Sequence, residues 1–228
     1  MIKLDRIQEE LEAVQNKEEA KKMEKYMRNH FPFLGVKTPE RRKAVKTVLK
    51  QERILDFQEI RPLLQELWLL SEREYQNVAL DLLGHVKHFP KESIALIEQL
   101  IVTKSWWDTV DSLSGNSAGN YFKQHPEEIK PVIDKWIKSE NMWLNRSAIL
   151  FQLSYKETTD WPLLKQVILL HSDSKEFFIQ KAIGWALREY SKTAPETVAT
   201  FMNAHPLAPL SKREGSKILK KNKTEVSK

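Results

Sequence analysis

The sequence has no cysteine and only six glycines in 228 residues. Without cysteine, the chain cannot form disulfides, a thiolate nucleophile, or a thiolate-bound zinc or iron–sulfur site. It contains neither a Gly-rich phosphate-binding loop nor a Gly-x-Ser-x-Gly motif, which argues against nucleotide hydrolysis and serine-based acyl transfer. Of the six histidines, only His85 and His88 form a close pair, and no carboxylate lies at ligand spacing. We therefore expect no metal and no other cofactor.

Long apolar runs are also missing. The longest ones, such as residues 167–170, fall far short of the roughly 20 residues that a membrane-spanning helix needs. The amino terminus begins with charged residues and lacks an apolar signal core, which predicts that the protein is not exported. These features, with the absence of cysteine, predict a cytoplasmic protein without a membrane partner.

The composition is that of a folded, moderately basic protein. Hydrophobic residues make up 41% of the chain and charged residues 30%, with a net charge of +6, so wholesale disorder is excluded. Residues 211–228 hold seven Lys or Arg and two Glu. We predict one domain over residues 1–228, with a basic tail from about residue 216, and a weak preference for polyanionic partners.

Apolar residues recur three and four positions apart almost throughout, which predicts an all-α protein. Prolines mark helix starts at Pro39, Pro126, Pro162 and Pro195, and Pro90 divides the first gap. From Pro90 onwards they are 36, 36 and 33 residues apart. A unit of about 35 residues is typical of helical hairpin repeats, so the pattern predicts an α-solenoid, which usually has a concave face.

A second series of polar residues follows the same period. These residues fall 35, 34, 35 and 35 positions apart, on the helices that we expect to face the same way in successive repeats. We call them the polar stripe: Arg42, Asn77, Asp111, Arg146 and Lys181. The alternative is that exposed polar residues recur at this spacing by chance.

Tryptophans accompany the polar stripe. Trp107, Trp143 and Trp185 each lie three or four residues from one of its members, on the same helix face. The segment around Trp107 also carries two carboxylates, Asp108 and Asp111, of which only Asp111 belongs to the stripe. These residues alone leave two interpretations open, either a functional cluster or core tryptophans beside solvated aspartates.

Five segments together resemble the AlkD-like family of DNA alkylation repair glycosylases, in order, from about residue 26 to 215. They are NHFPFLGVKTPERR, TKSWWDTVDS, NMWLNRSAILFQLSYK, SKEFFIQKAIGWALREY and APLSKREG. The resemblance implies a curved array of HEAT-like repeats that holds duplex DNA. It further implies base excision repair, by hydrolysis of the N-glycosidic bond of cationic alkylpurines such as 3-methyladenine and 7-methylguanine.

The resemblance also assigns residues. It implies that Asp111 is the catalytic carboxylate, that Trp107 and Trp185 flank it, and that Arg146 contacts DNA.

Further basic and aromatic residues complete the predicted DNA-binding set. We expect the cations among them to pair with phosphates without reading sequence. The set is Lys181, Arg42, Tyr26, Lys212 and Arg213.

We further expect a monomeric, monofunctional enzyme that acts on the nucleoid while the damaged base stays largely stacked. The alternative is a non-catalytic repeat protein that binds nucleic acid or serves as a protein scaffold.

Overall fold

The computed structural model describes residues 2–49 and 55–220, where its only extended pairing is an isolated bridge between Leu55 and Val86. These residues contain fourteen α-helices and no β-strand, so the predicted all-α repeat fold is confirmed. The helices are α1 Leu4–Glu12, α2 Lys17–Tyr26, α3 Thr38–Leu49, α4 Phe57–Leu69, α5 Arg73–Leu83, α6 Ser93–Val102, α7 Trp107–Ser112, α8 Gly119–Gln124, α9 Ile129–Ile137, α10 Met142–Leu150, α11 Trp161–Leu170, α12 Phe177–Tyr190, α13 Pro195–Ala204 and α14 Pro209–Gly215.

Five of these helices begin at nearly constant intervals. Helices α3, α5, α7, α10 and α12 begin at residues 38, 73, 107, 142 and 177, which are 35, 34, 35 and 35 residues apart. Every member of the polar stripe is the fifth residue of its helix. The register predicted from the sequence is therefore confirmed.

Prolines mark where several helices begin. Pro162 and Pro195 lie in the first turns of α11 and α13, and Pro126 begins a 3₁₀ turn before α9. Pro39 also starts a helix, α3, but that helix belongs to the series that carries the polar stripe. This difference explains why the spacing between Pro39 and Pro90 does not fit the period of the later prolines.

The chain separates into two compact units, Met1–Leu96 and Ile97–Lys228, with the boundary inside α6. The single domain over residues 1–228 stays a prediction. Of the basic tail predicted from about residue 216, residues 221–228 lie outside the described residues.

The first unit packs α1 against α3 and α4, and α5 against α3 and α4. The loop before α3 is fastened to α5 by Glu74, whose carboxylate accepts hydrogen bonds from the backbone N–H groups of Leu34, Gly35 and Val36 at 3.0, 2.9 and 3.0 Å. Gly35 has a φ of +82°, and a Cβ there would lie 2.0 Å from the carbonyl oxygen of Asn16. Only glycine fits this turn without strain.

The second unit packs α10 against α9, α11 and α12, and α12 most extensively against α14. Helices α7 and α8 are joined by a π-helical turn, Leu113–Ala118. Small residues bring this turn and the start of α8 close to α10 and its C-terminal end. Ser114 of the turn hydrogen-bonds Ser147 at 2.8 Å, and a Cβ on Gly119 would lie 2.7 Å from the Phe151 carbonyl oxygen. The turn begins two residues after Asp111, and such turns are frequent at functional sites.

Candidate active site

A cleft of about 380 Å³ lies in the second unit among α7, α10, α12 and α14. It brings together five residues that the sequence predicted as site residues. The full lining is Trp107, Asp111, Arg146, Phe177, Phe178, Lys181, Trp185, Arg188 and Glu214.

Helical spacing places the central residues on the faces that line the cleft. Trp107 is the first residue of α7, and Asp111 follows one turn later on the same face. On α12 the same spacing relates Lys181 to Trp185. Two indoles from different helices therefore share the cleft with the carboxylate of Asp111.

Asp111 and Arg146 form a nearly buried bidentate ion pair. Nε and Nη2 of Arg146 donate to the two carboxylate oxygens of Asp111 at 2.7 and 2.8 Å, and Nη1 donates to the carbonyl oxygen of Phe178. Burial raises the pKa of Asp111 above its ordinary value, and the guanidinium of Arg146 opposes that shift. The carboxylate is thereby held in one orientation.

Arg146 is more buried, and more fully paired with protein groups, than we expect of a residue that contacts DNA. Arg146 is only 4% exposed, and all three of its guanidinium nitrogens donate to groups of the protein. Three of its five N–H donors are thus used within the protein, and burial leaves the other two little access to a phosphate. The geometry favours a role for Arg146 in holding Asp111.

An aromatic cluster lies beside this ion pair. The rings of Trp106, Trp143 and Phe178 lie 5.1 to 5.9 Å apart, measured between centroids. The sequence placed Trp143 beside the polar stripe. In the structure Trp143 packs in this cluster and does not line the cleft. Phe178 thus takes part in both features, through its ring in the cluster and through its backbone carbonyl group in the contact with Arg146.

Cations and one carboxylate occupy the α12–α14 side of the cleft. Lys181 and Arg188 on α12 both approach Glu214 on α14, at 3.3 and 3.4 Å. The ammonium groups of Lys217 and Lys181 lower the pKa of Glu214, so this carboxylate is ionised. The lining of the cleft therefore carries two acids and three bases.

Four predicted DNA-binding residues do not line this cleft. Arg42 and Tyr26 lie in the first unit, where their side chains are largely exposed, and Arg42 is 3.6 Å from Asp81. Lys212 and Arg213 are exposed on α14, between the buried residues Ser211 and Glu214. Their contacts with DNA stay predictions.

Four residues of the lining were not predicted: Phe177, Phe178, Arg188 and Glu214. Phe177 and Arg188 follow from helical spacing, because Phe177 lies one turn before Lys181 and Arg188 lies one turn after Trp185. Glu214 lies in the segment 211–228, which has a positive net charge. No local pattern indicates that its carboxylate is buried, because that depends on how α14 packs against α12.

Comparison with known proteins identifies the family. A family model described as DNA alkylation repair enzyme matches residues 7–219. The chain belongs to this family. A solved structure described as a predicted DNA alkylation repair enzyme from Enterococcus faecalis is 38% identical, with a TM-score of 0.82, and the match covers 89% of this chain and 95% of that chain. No curated protein matches the chain at a significant level.

Membership confirms the resemblance seen in the sequence and places the chain among enzymes of DNA alkylation repair, which act on DNA. Within residues 2–49 and 55–220, no helix is long and apolar enough to cross a bilayer. In the same parts of the chain, no three His, Asp or Glu side chains are grouped so that they could hold a metal ion.

Proposed function

We propose that this repair enzyme is a monofunctional DNA glycosylase, which hydrolyses the N-glycosidic bond of N3- and N7-alkylated purines in duplex DNA. One observation carries the proposal. The Asp111 carboxylate, fixed by Arg146, lines a cleft together with the indoles of Trp107 and Trp185.

Release of an alkylated purine can be catalysed by a carboxylate without a general acid. An N3- or N7-alkylated purine is already cationic, so it leaves as a neutral base and needs little protonation. Positive charge then develops on the deoxyribose. A fixed carboxylate close to C1′ stabilises that charge electrostatically, and we assign this role to Asp111.

The two indoles complement this role. The face of an indole is negative and attracts cations by about 0.5–2 kcal/mol, depending on desolvation. Trp107 and Trp185 would hold the deoxyribose and favour its charged transition state over its neutral ground state. Differential stabilisation of this kind raises the rate.

The decisive experiment is single-turnover release of 7-methylguanine from methylated duplex DNA by Asp111→Asn. The substitution keeps the shape of the side chain and removes its charge, so we expect the chemical step to slow about 10²–10³-fold with little change in DNA binding. Asp108→Asn is the matched control, because Asp108 lies on the same helix but outside the cleft lining. Equal, small effects of both variants would contradict the proposal.

Arg146→Ala tests the ion pair in the same assay. If Arg146 acts by holding Asp111, its removal slows the chemical step at saturating enzyme. A direct phosphate contact would instead weaken binding and leave the maximal rate near that of the wild type. Thermal unfolding of each variant shows whether the fold is retained once one partner of this nearly buried pair is missing.

Two further outcomes bear on the type of enzyme. A monofunctional glycosylase leaves an abasic site and forms no covalent intermediate, so borohydride should trap no enzyme–DNA adduct. If the wild type binds duplex DNA but releases no base, the non-catalytic binding module is the better description.

We also propose that the damaged base stays largely stacked while its sugar meets the cleft. Enzymes that extrude a base read it in a snug pocket, which excludes large adducts. A stacked base has no such limit, so we expect bulky N7 adducts to be released as well as methyl ones. Inert bulky adducts would contradict this part of the proposal.

A further inference from the structure

Glu214 is a buried carboxylate that three cations surround. Its side chain is 7% exposed, and its oxygens lie 3.3 Å from Lys181 Nζ, 3.4 Å from Arg188 Nη1 and 2.7 Å from Lys217 Nζ. The cations themselves are partly exposed, between 29 and 52%. The carboxylate therefore lies beneath the cations rather than beside them at the surface.

The two cations on α12 lie on either side of a cleft tryptophan. Lys181, Trp185 and Arg188 have the spacing i, i+4 and i+7, which places them on one helix face. One carboxylate reaches both ends of this row, with one oxygen towards Lys181 and the other towards Arg188. Glu214 thus fixes the two charges that frame the indole of Trp185.

The backbone holds Glu214 in this place through close packing of α14 on α12. A Cβ on Gly184 would lie 2.5 Å from the Glu214 Cβ and 3.0 Å from the Ser211 carbonyl oxygen, so only glycine permits this approach. The Ser211 hydroxyl also donates to the carbonyl oxygen of Gln180 at 2.9 Å. Close packing of the two helices therefore fixes the position of the Glu214 backbone and Cβ.

The cations keep donors for a second anion. Arg188 approaches Glu214 with one of its nitrogens, at a distance that is long for a charged pair. A guanidinium has five N–H donors and an ammonium three, so each can contact a carboxylate and a phosphate at once. The cluster of one acid and three bases retains a net positive charge at the edge of the cleft.

We propose that Glu214 is a positioning residue for DNA, whose carboxylate holds Lys181 and Arg188 on either side of Trp185 so that both can contact phosphates of the damaged strand. This inference rests on the proposed function, because the phosphates belong to the nucleotide whose sugar meets Trp185. Without the carboxylate, three neighbouring cations repel one another and their side chains turn away from the cleft.

The test is Glu214→Gln, with Glu189→Gln as the matched control. Glu189 is on the same helix as the cations and pairs with Lys192 at 2.7 Å, but it does not line the cleft. We expect Glu214→Gln to bind undamaged duplex DNA about tenfold more weakly. The slope of log K against log salt should become shallower by about 0.9 for each phosphate that the variant no longer neutralises. In single turnover, the half-saturating enzyme concentration rises while the maximal rate changes less than threefold.

A merely structural role would lower thermal stability without changing the salt slope. Glu214→Asp, which keeps the charge, should recover part of the affinity, and it carries the test if the glutamine variant does not fold. In a Lys181→Gln, Arg188→Gln background, Glu214→Gln should change the slope no further, because its effect passes through those two cations.

Tighter binding by Glu214→Gln, with an unchanged or steeper salt slope, would overturn the inference and show that the carboxylate competes with phosphates. The binding measurements use undamaged DNA, so they report on Glu214 even if the wild type releases no alkylpurine. Failure of the inference is thereby distinguishable from failure of the proposed glycosylase activity.

Discussion

Two opposing influences act on the charge of Asp111. Burial penalises the carboxylate and raises its pKa, whereas the bidentate contact with Arg146 favours the ionised form. The proposed chemistry requires the ionised form, since only a negative charge stabilises a sugar cation. The ion pair with Arg146 therefore lets a nearly buried aspartate keep its charge.

This balance predicts a pH dependence for the chemical step. Because the pKa of Asp111 lies above the ordinary value of about 3.9, activity should disappear as the pH falls through that raised value. Arg146→Gln removes the opposing guanidinium, so the midpoint should move to higher pH. Single-turnover rates at saturating enzyme, measured across the acidic and neutral range, give the midpoints. The charge of Asp108 also raises the pKa of Asp111, so Asp108→Asn should move the midpoint slightly to lower pH. A shift to higher pH in that variant, as large as the shift in Arg146→Gln, would contradict the assignment to Asp111.

Glu74 is a second buried carboxylate, and we expect it to contribute to the stability of the fold rather than to activity. It is 1% exposed and accepts from three consecutive backbone N–H groups of the loop before α3. Glu74→Gln keeps one acceptor oxygen and leaves part of this set unsatisfied, so we expect a decrease of about 1–3 kcal/mol in the free energy of unfolding. Urea denaturation measures the decrease. Glu59→Gln, at an exposed position of α4, should change the free energy by less than about 0.5 kcal/mol.

At the scale of elements, the contact between α12 and α14 depends on a glycine. Gly184→Ala would place its Cβ 2.5 Å from the Glu214 Cβ, so the two helices must separate. We expect a decrease of about 1–3 kcal/mol in the free energy of unfolding, together with weaker DNA binding, because Glu214 moves with α14.

Gly115→Ala is the control for that substitution. In the π-helical turn, a Cβ on Gly115 would meet its nearest neighbour, the Leu150 carbonyl oxygen, at an ordinary 3.9 Å. The free energy of unfolding of this variant should therefore lie within about 1 kcal/mol of that of the wild type. Similar decreases for both glycines would mean that the α12–α14 approach is not the cause.

The helices that could be predicted are those with local signals. Pro162 and Pro195 mark the starts of α11 and α13. The 35-residue period predicted the register in which Asp111 is the fifth residue of α7. The π-helical turn and the burial of Glu214 could not be predicted in this way. Both arise where small residues let two segments that are distant in sequence approach closely, and such contacts leave no periodic pattern.

At the scale of the whole molecule, the net charge of +6 favours binding to a polyanion, but the position of each cation decides how much it contributes. Arg41 and Arg42 show the difference. The buried Arg41 donates to Asp81 through Nε at 2.8 Å, whereas the side chain of Arg42 is 70% exposed and lies 3.6 Å from the same carboxylate. Arg41 therefore has a structural role, whereas the exposed side chain of Arg42 can reach a phosphate.

Arg42→Gln therefore tests whether the first unit takes part in DNA binding. If Arg42 neutralises a phosphate, the substitution should weaken binding of damaged and undamaged duplexes equally and reduce the salt slope by about one. Stability should change little, because Asp81 keeps its contact with Arg41. Arg6→Gln, which removes an exposed arginine of the same unit paired with Glu9, controls for the change in net charge. If both variants lower the slope alike, the effect comes from overall charge, and the predicted contact of Arg42 with DNA is wrong.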